Sequence, residues 1–84
     1  MSRQQKLLQR LLSKPKDFTW NELKTLLTHY GYEMLKGNGS RRKFIHSGSK
    51  QVISLHEPHP QNIIKMYVIE DVISKLTELG LIDE

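Results

Sequence analysis

Apolar residues recur at helical spacing near both ends of the chain. The N-terminal segment follows Arg3 and stops before Pro15, which cannot continue a helix; its apolar positions are Leu7, Leu8, Leu11 and Leu12. The C-terminal segment starts at about Lys65 and is closed by Gly80; its apolar positions are Ile69, Val72, Ile73, Leu76 and Leu79. This spacing predicts an amphipathic helix in each segment.

Another helix is predicted between these two by its capping residues and by an apolar stripe. Thr19 and Glu22 have the spacing of a capping box, in which both side chains bond to amide groups of the first turn. Phe18 precedes the cap, and the stripe consists of Leu23, Leu26 and Leu27. The helix is predicted to run to about His29, a favourable cation near a helix C-terminus, and to be ended by Gly31.

Three short segments rich in β-forming residues follow, at residues 32–36, 42–46 and 51–55. The links Gly-Asn-Gly-Ser and Ser-Gly-Ser between them predict an antiparallel meander. The Pro-rich run that begins at His56 cannot continue the sheet. The order helix, helix, three strands, helix predicts an α+β sandwich with the helices packed on one face of the sheet and the other face open.

Alternation along the second strand separates its side chains into two sets. One set is Arg41, Lys43 and Ile45, and the other is Arg42, Phe44 and His46. We expect Phe44 to pack with Ile53 and Leu55 under the helices. Arg41 and Lys43 then point to the open face, and Arg42 lies with its charged end at the sheet edge.

Composition limits the class of protein. Eighty-four residues, 37% of them hydrophobic and 26% charged, predict one small soluble domain that spans residues 1–84. No apolar run approaches the length that spans a bilayer, and no signal-type segment is present, so we expect a cytoplasmic protein without a membrane partner. Because the sequence has no cysteine, disulfides, thiolate nucleophiles and Cys-based zinc sites are excluded.

The net charge of +4 is modest, but charge is distributed unevenly along the sequence. No acidic residue occurs between Met34 and His56, whereas the same window contains the cations Lys36, Arg41, Arg42, Lys43 and Lys50. The glycine-rich link ending in Ser40 supplies amide groups and a hydroxyl that suit a phosphate, which predicts nucleic acid as the partner. The alternatives are an ordinary hairpin connection and a solvated basic surface. The link lacks the spacing of a nucleotide-binding loop, so ATP and NAD are not indicated.

Histidines close to this window are candidates for proton transfer. His46, His56 and His59 each lie near the cations in sequence, where an imidazole can act as a general base on a ribose 2′-hydroxyl. The alternative is that His59 orders its loop and that His46 and His56 are polar strand ends. His56, Glu57 and His59 also suggest metal ligands, but a Pro-rich loop is a poor place for a preorganised pair. We therefore expect neither a metal nor another cofactor.

Several short motifs, taken in order, resemble the HicA toxin family between Leu23 and Ile82. They are the helix that ends at Gly31-Tyr32, the Gly39-Ser40 pair opening a strand with Phe44, the strand from Val52 to Leu55, the pair His59-Pro60 and the final Leu79-Gly80-Leu81. The resemblance implies an mRNA interferase with a double-stranded-RNA-binding-like fold, metal-free RNA cleavage and a HicB-type antitoxin as partner. Residues 1–16 would then be a basic helical extension.

The resemblance also exposes a departure. In that family the strand after Gly-Ser usually carries one or two histidines, one of them taken as catalytic, whereas here Arg41 and Arg42 occupy these positions. Arginine stays protonated near neutral pH and cannot act as a base. One hypothesis is a ribonuclease in which these arginines hold the phosphate and His46, or else His59, transfers the proton. The other is a non-catalytic module that binds RNA or the antitoxin.

Overall fold

The computed structural model describes residues 3–58 and 61–82. Its elements are α1 (Arg3–Leu12), α2 (Trp20–His29), β1 (Tyr32–Lys36), β2 (Arg41–His46), β3 (Val52–His56) and α3 (Met66–Glu78). The predicted element order and α+β class are confirmed.

The three strands form one antiparallel sheet in the order β1-β2-β3, as predicted. Two strands differ from the prediction in their bounds: β2 begins at Arg41, and β3 is displaced by one residue and ends at His56. The proline that stops the sheet is Pro58, and it restricts Glu57 rather than His56. The amide of Glu57 still donates to the carbonyl of Ser40 at 2.8 Å, so His56 belongs to the strand and not to the loop.

The capping signals around α2 take the predicted form. The Thr19 hydroxyl accepts from the amide of Glu22 at 3.2 Å, and the Glu22 carboxylate accepts from the amide of Thr19 at 3.0 Å. At the other end Gly31 has a φ of +93°, a left-handed conformation that suits glycine after a helix. These two ends fix the length of α2 and the direction in which β1 leaves it.

A single core lies between the helices and one face of the sheet. Phe44, Ile53 and Leu55 are buried there as predicted, and the Phe44 ring packs on that of Trp20 with centroids 5.7 Å apart. Leu11 of α1 is fully buried in the same cluster. The sheet thus has one buried face and one exposed face. None of the helices in the described residues has the length and hydropathy that a bilayer-spanning segment requires.

Candidate nucleic-acid interface

The exposed side of the sheet is formed by alternate strand residues, and we call it the open face. Its members are Glu33 and Leu35 of β1, Arg41, Lys43 and Ile45 of β2, and Val52, Ser54 and His56 of β3. Lys43 pairs with Leu35 on one side and with Ser54 on the other, while Arg41 pairs with His56. Arg41 and Lys43 therefore project from the same face, about 7 Å apart along one strand.

Both of these cations are available to a ligand. The side chains of Arg41 and Lys43 are exposed, and neither forms an ion pair or a hydrogen bond with another described residue. Two exposed cations on one strand face suit successive backbone phosphates. This placement is the one predicted from strand alternation.

Arg42 has a different environment because it lies on the buried side of β2. Its side chain is only 14% exposed, and its Nε atom donates to Glu57 Oε1 at 3.1 Å. One terminal nitrogen also donates to the carbonyls of Gly39 and Arg41, at 2.9 and 2.7 Å. The guanidinium thus ties the β1–β2 turn to the end of β3, and a phosphate would have to displace these contacts.

The β1–β2 turn is closed by hydrogen bonds at its base and has an open tip, where the amides make no hydrogen bond to another described residue. The amide of Gly37 donates to the carbonyl of Arg41, and the amide of Arg41 donates to the carbonyl of Asn38. The amides of Asn38, Gly39 and Ser40 donate to no acceptor on another described residue. Of the two glycines, only Gly39 has positive φ, at +61°. Gly37 instead permits close approach, since a Cβ there would lie 3.1 Å from that of Arg41.

Ser40 and His56 meet beside this turn. The Ser40 hydroxyl oxygen lies 3.2 Å from His56 Nδ1, and both side chains are exposed. The bond from the Glu57 amide to the Ser40 carbonyl holds the two chain segments together. Sequence reasoning ranked His56 behind His46 and His59. Counting residue pairs outward from the β2–β3 turn would have placed it opposite Arg41.

His46, the preferred catalytic candidate from the sequence, lies away from the cations. It is at the far end of β2 from Arg41, five residues or about 17 Å away, and on the other face of the sheet. Its Nδ1 accepts from the amide of Ser49 at 3.1 Å, and its ring packs edge-on against Tyr32 with centroids 5.0 Å apart. These contacts give His46 a role in closing the β2–β3 turn.

The remaining predicted site residues are divided between the two ends of the sheet. Lys36 pairs with Arg42 in the register and is exposed near the β1–β2 turn. Lys50 belongs to the β2–β3 turn at the opposite end, so it cannot contact the same phosphate as Arg41. His59 lies outside the described residues.

A cleft of about 710 Å³ opens next to His56, between the end of β3 and the start of α3. It is lined by Lys16, Glu57 and Tyr67 among others, and the Tyr67 side chain is 68% exposed. Within the described ranges no group of three or more His, Asp or Glu residues is arranged to hold a metal ion. Burial raises the pKa of Tyr32, with a contribution from Glu78, so this core phenol stays protonated and cannot act as a base.

The fold and this interface define a small α+β domain whose sheet presents two exposed cations on one face. Residues 20–81 match the family model described as the HicA toxin of bacterial toxin-antitoxin. The chain belongs to the HicA toxin family, which implies a toxin-antitoxin system and an antitoxin partner. Helix α1 precedes the matched range. No curated protein and no solved structure shows significant similarity to the chain.

Proposed function

We propose that this chain is a toxin that binds mRNA on the open face of its sheet and cleaves it without a metal. The observation that carries the proposal is the pair of free cations, Arg41 and Lys43, directed to the same face beside the open tip of the β1–β2 turn. Membership of the HicA family supplies the toxin class.

Binding follows from the charges that remain unpaired. Arg42 is neutralised by Glu57, whereas Arg41 and Lys43 on the open face, and Lys36 at the end of β1 on the opposite face, are free of ion pairs with described residues. Phosphate oxygens can accept from these side chains and from the three amides at the turn tip. Contacts of this kind recognise the RNA backbone, so we expect affinity that depends strongly on salt and weakly on sequence.

Cleavage of RNA without a metal requires little beyond correct placement of groups, because the nucleophile is the substrate's own 2′-hydroxyl. The protein has to accept a proton and to stabilise the negative charge that develops at phosphorus. Arg41 and Lys43 suit the second task. Of the two histidines that the sequence favours as proton acceptor, His46 is remote from these cations and His59 lies outside the described residues.

The binding proposal is tested with Arg41→Gln and Lys43→Gln against Lys24→Gln, an exposed lysine on α2. Fluorescence anisotropy of labelled RNA is measured across a salt series. Each open-face substitution should weaken binding and reduce the slope of log K against log salt by about 0.7 for each phosphate that the variant no longer neutralises. An unchanged slope in both open-face variants would reject the interface, and the Lys24 variant should resemble the wild type.

The cleavage proposal is tested by incubating the protein with RNA in the presence of a chelator. Cleavage that persists without divalent ions supports the ribonuclease assignment. Binding without cleavage would instead support the alternative, a module that keeps the fold and the cations but has lost activity. Expression of the wild type should arrest growth, and a double Arg41→Gln/Lys43→Gln variant should relieve the arrest.

The open face also has features that suit a protein partner. Leu35 and Val52 are 45% and 43% exposed there, next to Ile45 on the strand between them. Apolar residues flanked by cations fit a partner surface with an apolar centre and acidic margins. We propose that a HicB-type antitoxin covers this face and thereby blocks RNA.

A further inference from the structure

We propose that His56 is the catalytic proton acceptor and that Ser40 orients its imidazole. The inference rests on the proposed ribonuclease function and identifies the residue that performs its proton transfer. It starts from the register, because Arg41 and His56 are direct partners across β2 and β3.

This pairing places the imidazole of His56 beside Arg41, whose own guanidinium cannot act as a base. Cross-strand partners have Cβ atoms about 5 Å apart, so the His56 ring and the Arg41 guanidinium can both reach one phosphodiester. The guanidinium binds the phosphate oxygens, and the imidazole lies beside the adjoining ribose. Among His29, His46 and His56, the histidines within the described ranges, only His56 is on the open face at the end that carries the turn.

The contact with Ser40 sets the orientation of the ring. When Nδ1–H donates to the Ser40 hydroxyl oxygen, 3.2 Å away, the lone pair of the neutral imidazole is on Nε2. The Ser40 hydroxyl hydrogen then remains free to donate to a phosphate oxygen. The Glu57 amide donates to the carbonyl of Ser40 and so fixes the position of Ser40. Because this bond links the residue before β2 to the residue after β3, it also holds Ser40 and His56 close together.

Glu57 and Arg42 support this arrangement from the other face of the sheet. Glu57 follows His56 in the chain and Arg42 follows Arg41, so their ion pair holds β2 and the end of β3 together next to the site. Arg42 also donates to the carbonyl of Gly39. Substrate has room beside the ring, because the 710 Å³ cleft borders His56. The β1–β2 turn, the end of β3 and the cleft are therefore all adjacent to the imidazole of His56.

The reaction is a transesterification that conserves all atoms and electrons. His56 Nε2 accepts the proton of the ribose 2′-hydroxyl as the 2′ oxygen forms a bond to phosphorus. The bond from phosphorus to the 5′ oxygen breaks, and that oxygen takes a proton from water. The hydroxide left behind is neutralised by the proton on His56. The products are a 2′,3′-cyclic phosphate and a 5′-hydroxyl end.

The experiment compares His56→Asn with His29→Asn, an exposed histidine at the end of α2. Cleavage rates are measured under single-turnover conditions with a chelator present, and RNA affinity is measured on the same samples. His56→Asn should lower the cleavage rate by about 10²- to 10⁴-fold, the usual contribution of a general base, with RNA affinity little changed. Circular dichroism checks the fold, which an exposed substitution should preserve.

Ser40 variants test the orienting contact. Ser40→Ala should reduce the rate less than His56→Asn and should add nothing further in the double variant, because both act on one imidazole. Ser40→Thr keeps a hydroxyl and should restore part of the rate. A histidine with a merely structural role would not produce this pattern.

The outcomes distinguish an error in the assignment of His56 from an error in the proposed ribonuclease function. If the wild type cleaves RNA and His56→Asn cleaves equally well, the assignment of His56 is wrong and the ribonuclease remains. A rate that depends on His46 but not on His56 would overturn the assignment in the same way. If the wild type binds RNA but never cleaves it, the ribonuclease proposal fails and the role of His56 fails with it. Ends other than a cyclic phosphate and a 5′-hydroxyl would also overturn the mechanism.

Discussion

At the scale of single residues, Arg41 and Arg42 show how strand geometry gives different roles to identical neighbours. Successive side chains point to opposite faces, so Arg41 extends into solvent while Arg42 turns toward the core. Arg42 pairs with Glu57 and with the carbonyls of Gly39 and Arg41, whereas the Arg41 side chain has no such contacts among the described residues. One arginine is thus placed to bind a ligand and the other to hold the structure together.

Substituting each arginine with glutamine should therefore have unequal effects on stability. Arg42→Gln should lower the free energy of unfolding by about 1–3 kcal/mol, since a charged donor to Glu57 and to two carbonyls is removed. Arg41→Gln should change it by less than about 0.5 kcal/mol, as expected for an exposed site. Urea unfolding of both variants measures the difference. Equal destabilisation by the two substitutions would contradict the separate roles.

At the scale of elements, the start of α2 is joined to α1 by one carboxylate. Glu22 completes the capping box with Thr19 and also accepts from Arg10 Nε at 2.7 Å. The hydrogen bond from Arg10 lowers the pKa of Glu22 below its ordinary value of 4.5, and the bonds from Thr19 add to this effect against the cost of burial. The ionised carboxylate therefore stabilises the folded state.

The pH dependence of stability should report this carboxylate. A depressed folded pKa contributes stability that is fully present above about 4.5 and is lost as the pH falls through the folded value. Glu22→Gln should be less stable than the wild type at neutral pH, and the gap should narrow in acid. Thermal unfolding between neutral and acidic pH measures this gap. A matched Glu33→Gln variant, exposed on β1, should lack the convergence.

The elements also show which parts of the structure the sequence could predict. The capping box at Thr19, the glycine at position 31 and the alternation around Phe44 are local signals, and each was confirmed. The pairing of Arg42 with Glu57 links residues 15 apart in the chain and depends on where β3 ends. The contact between Ser40 and His56 depends on the same boundary. Because β3 was predicted one residue too early, His56 was assigned to the loop, and its contact with the residue at the end of the β1–β2 turn was not predicted.

At the scale of the whole molecule, the exposed cations and the exposed apolar residues share one side of the fold. The open face carries Arg41 and Lys43, with Glu33 as its acidic residue. A polyanion is attracted to the two exposed cations of this face. The same open face contains the exposed Leu35 and Val52, so RNA and an antitoxin would compete for one surface.

Competition for the open face predicts that the two partners exclude each other. Labelled RNA bound to the protein should be displaced as its antitoxin partner is added, and fluorescence anisotropy follows the release. Leu35→Asp should weaken antitoxin binding because it places a charge in the apolar part of the interface. Thr25→Asp, the same change in charge on the exposed side of α2, should bind the antitoxin as the wild type does. Persistence of RNA in a complex saturated with antitoxin would show that the partners use separate surfaces, and antitoxin control of this toxin would then have to act at a distance from Arg41 and Lys43.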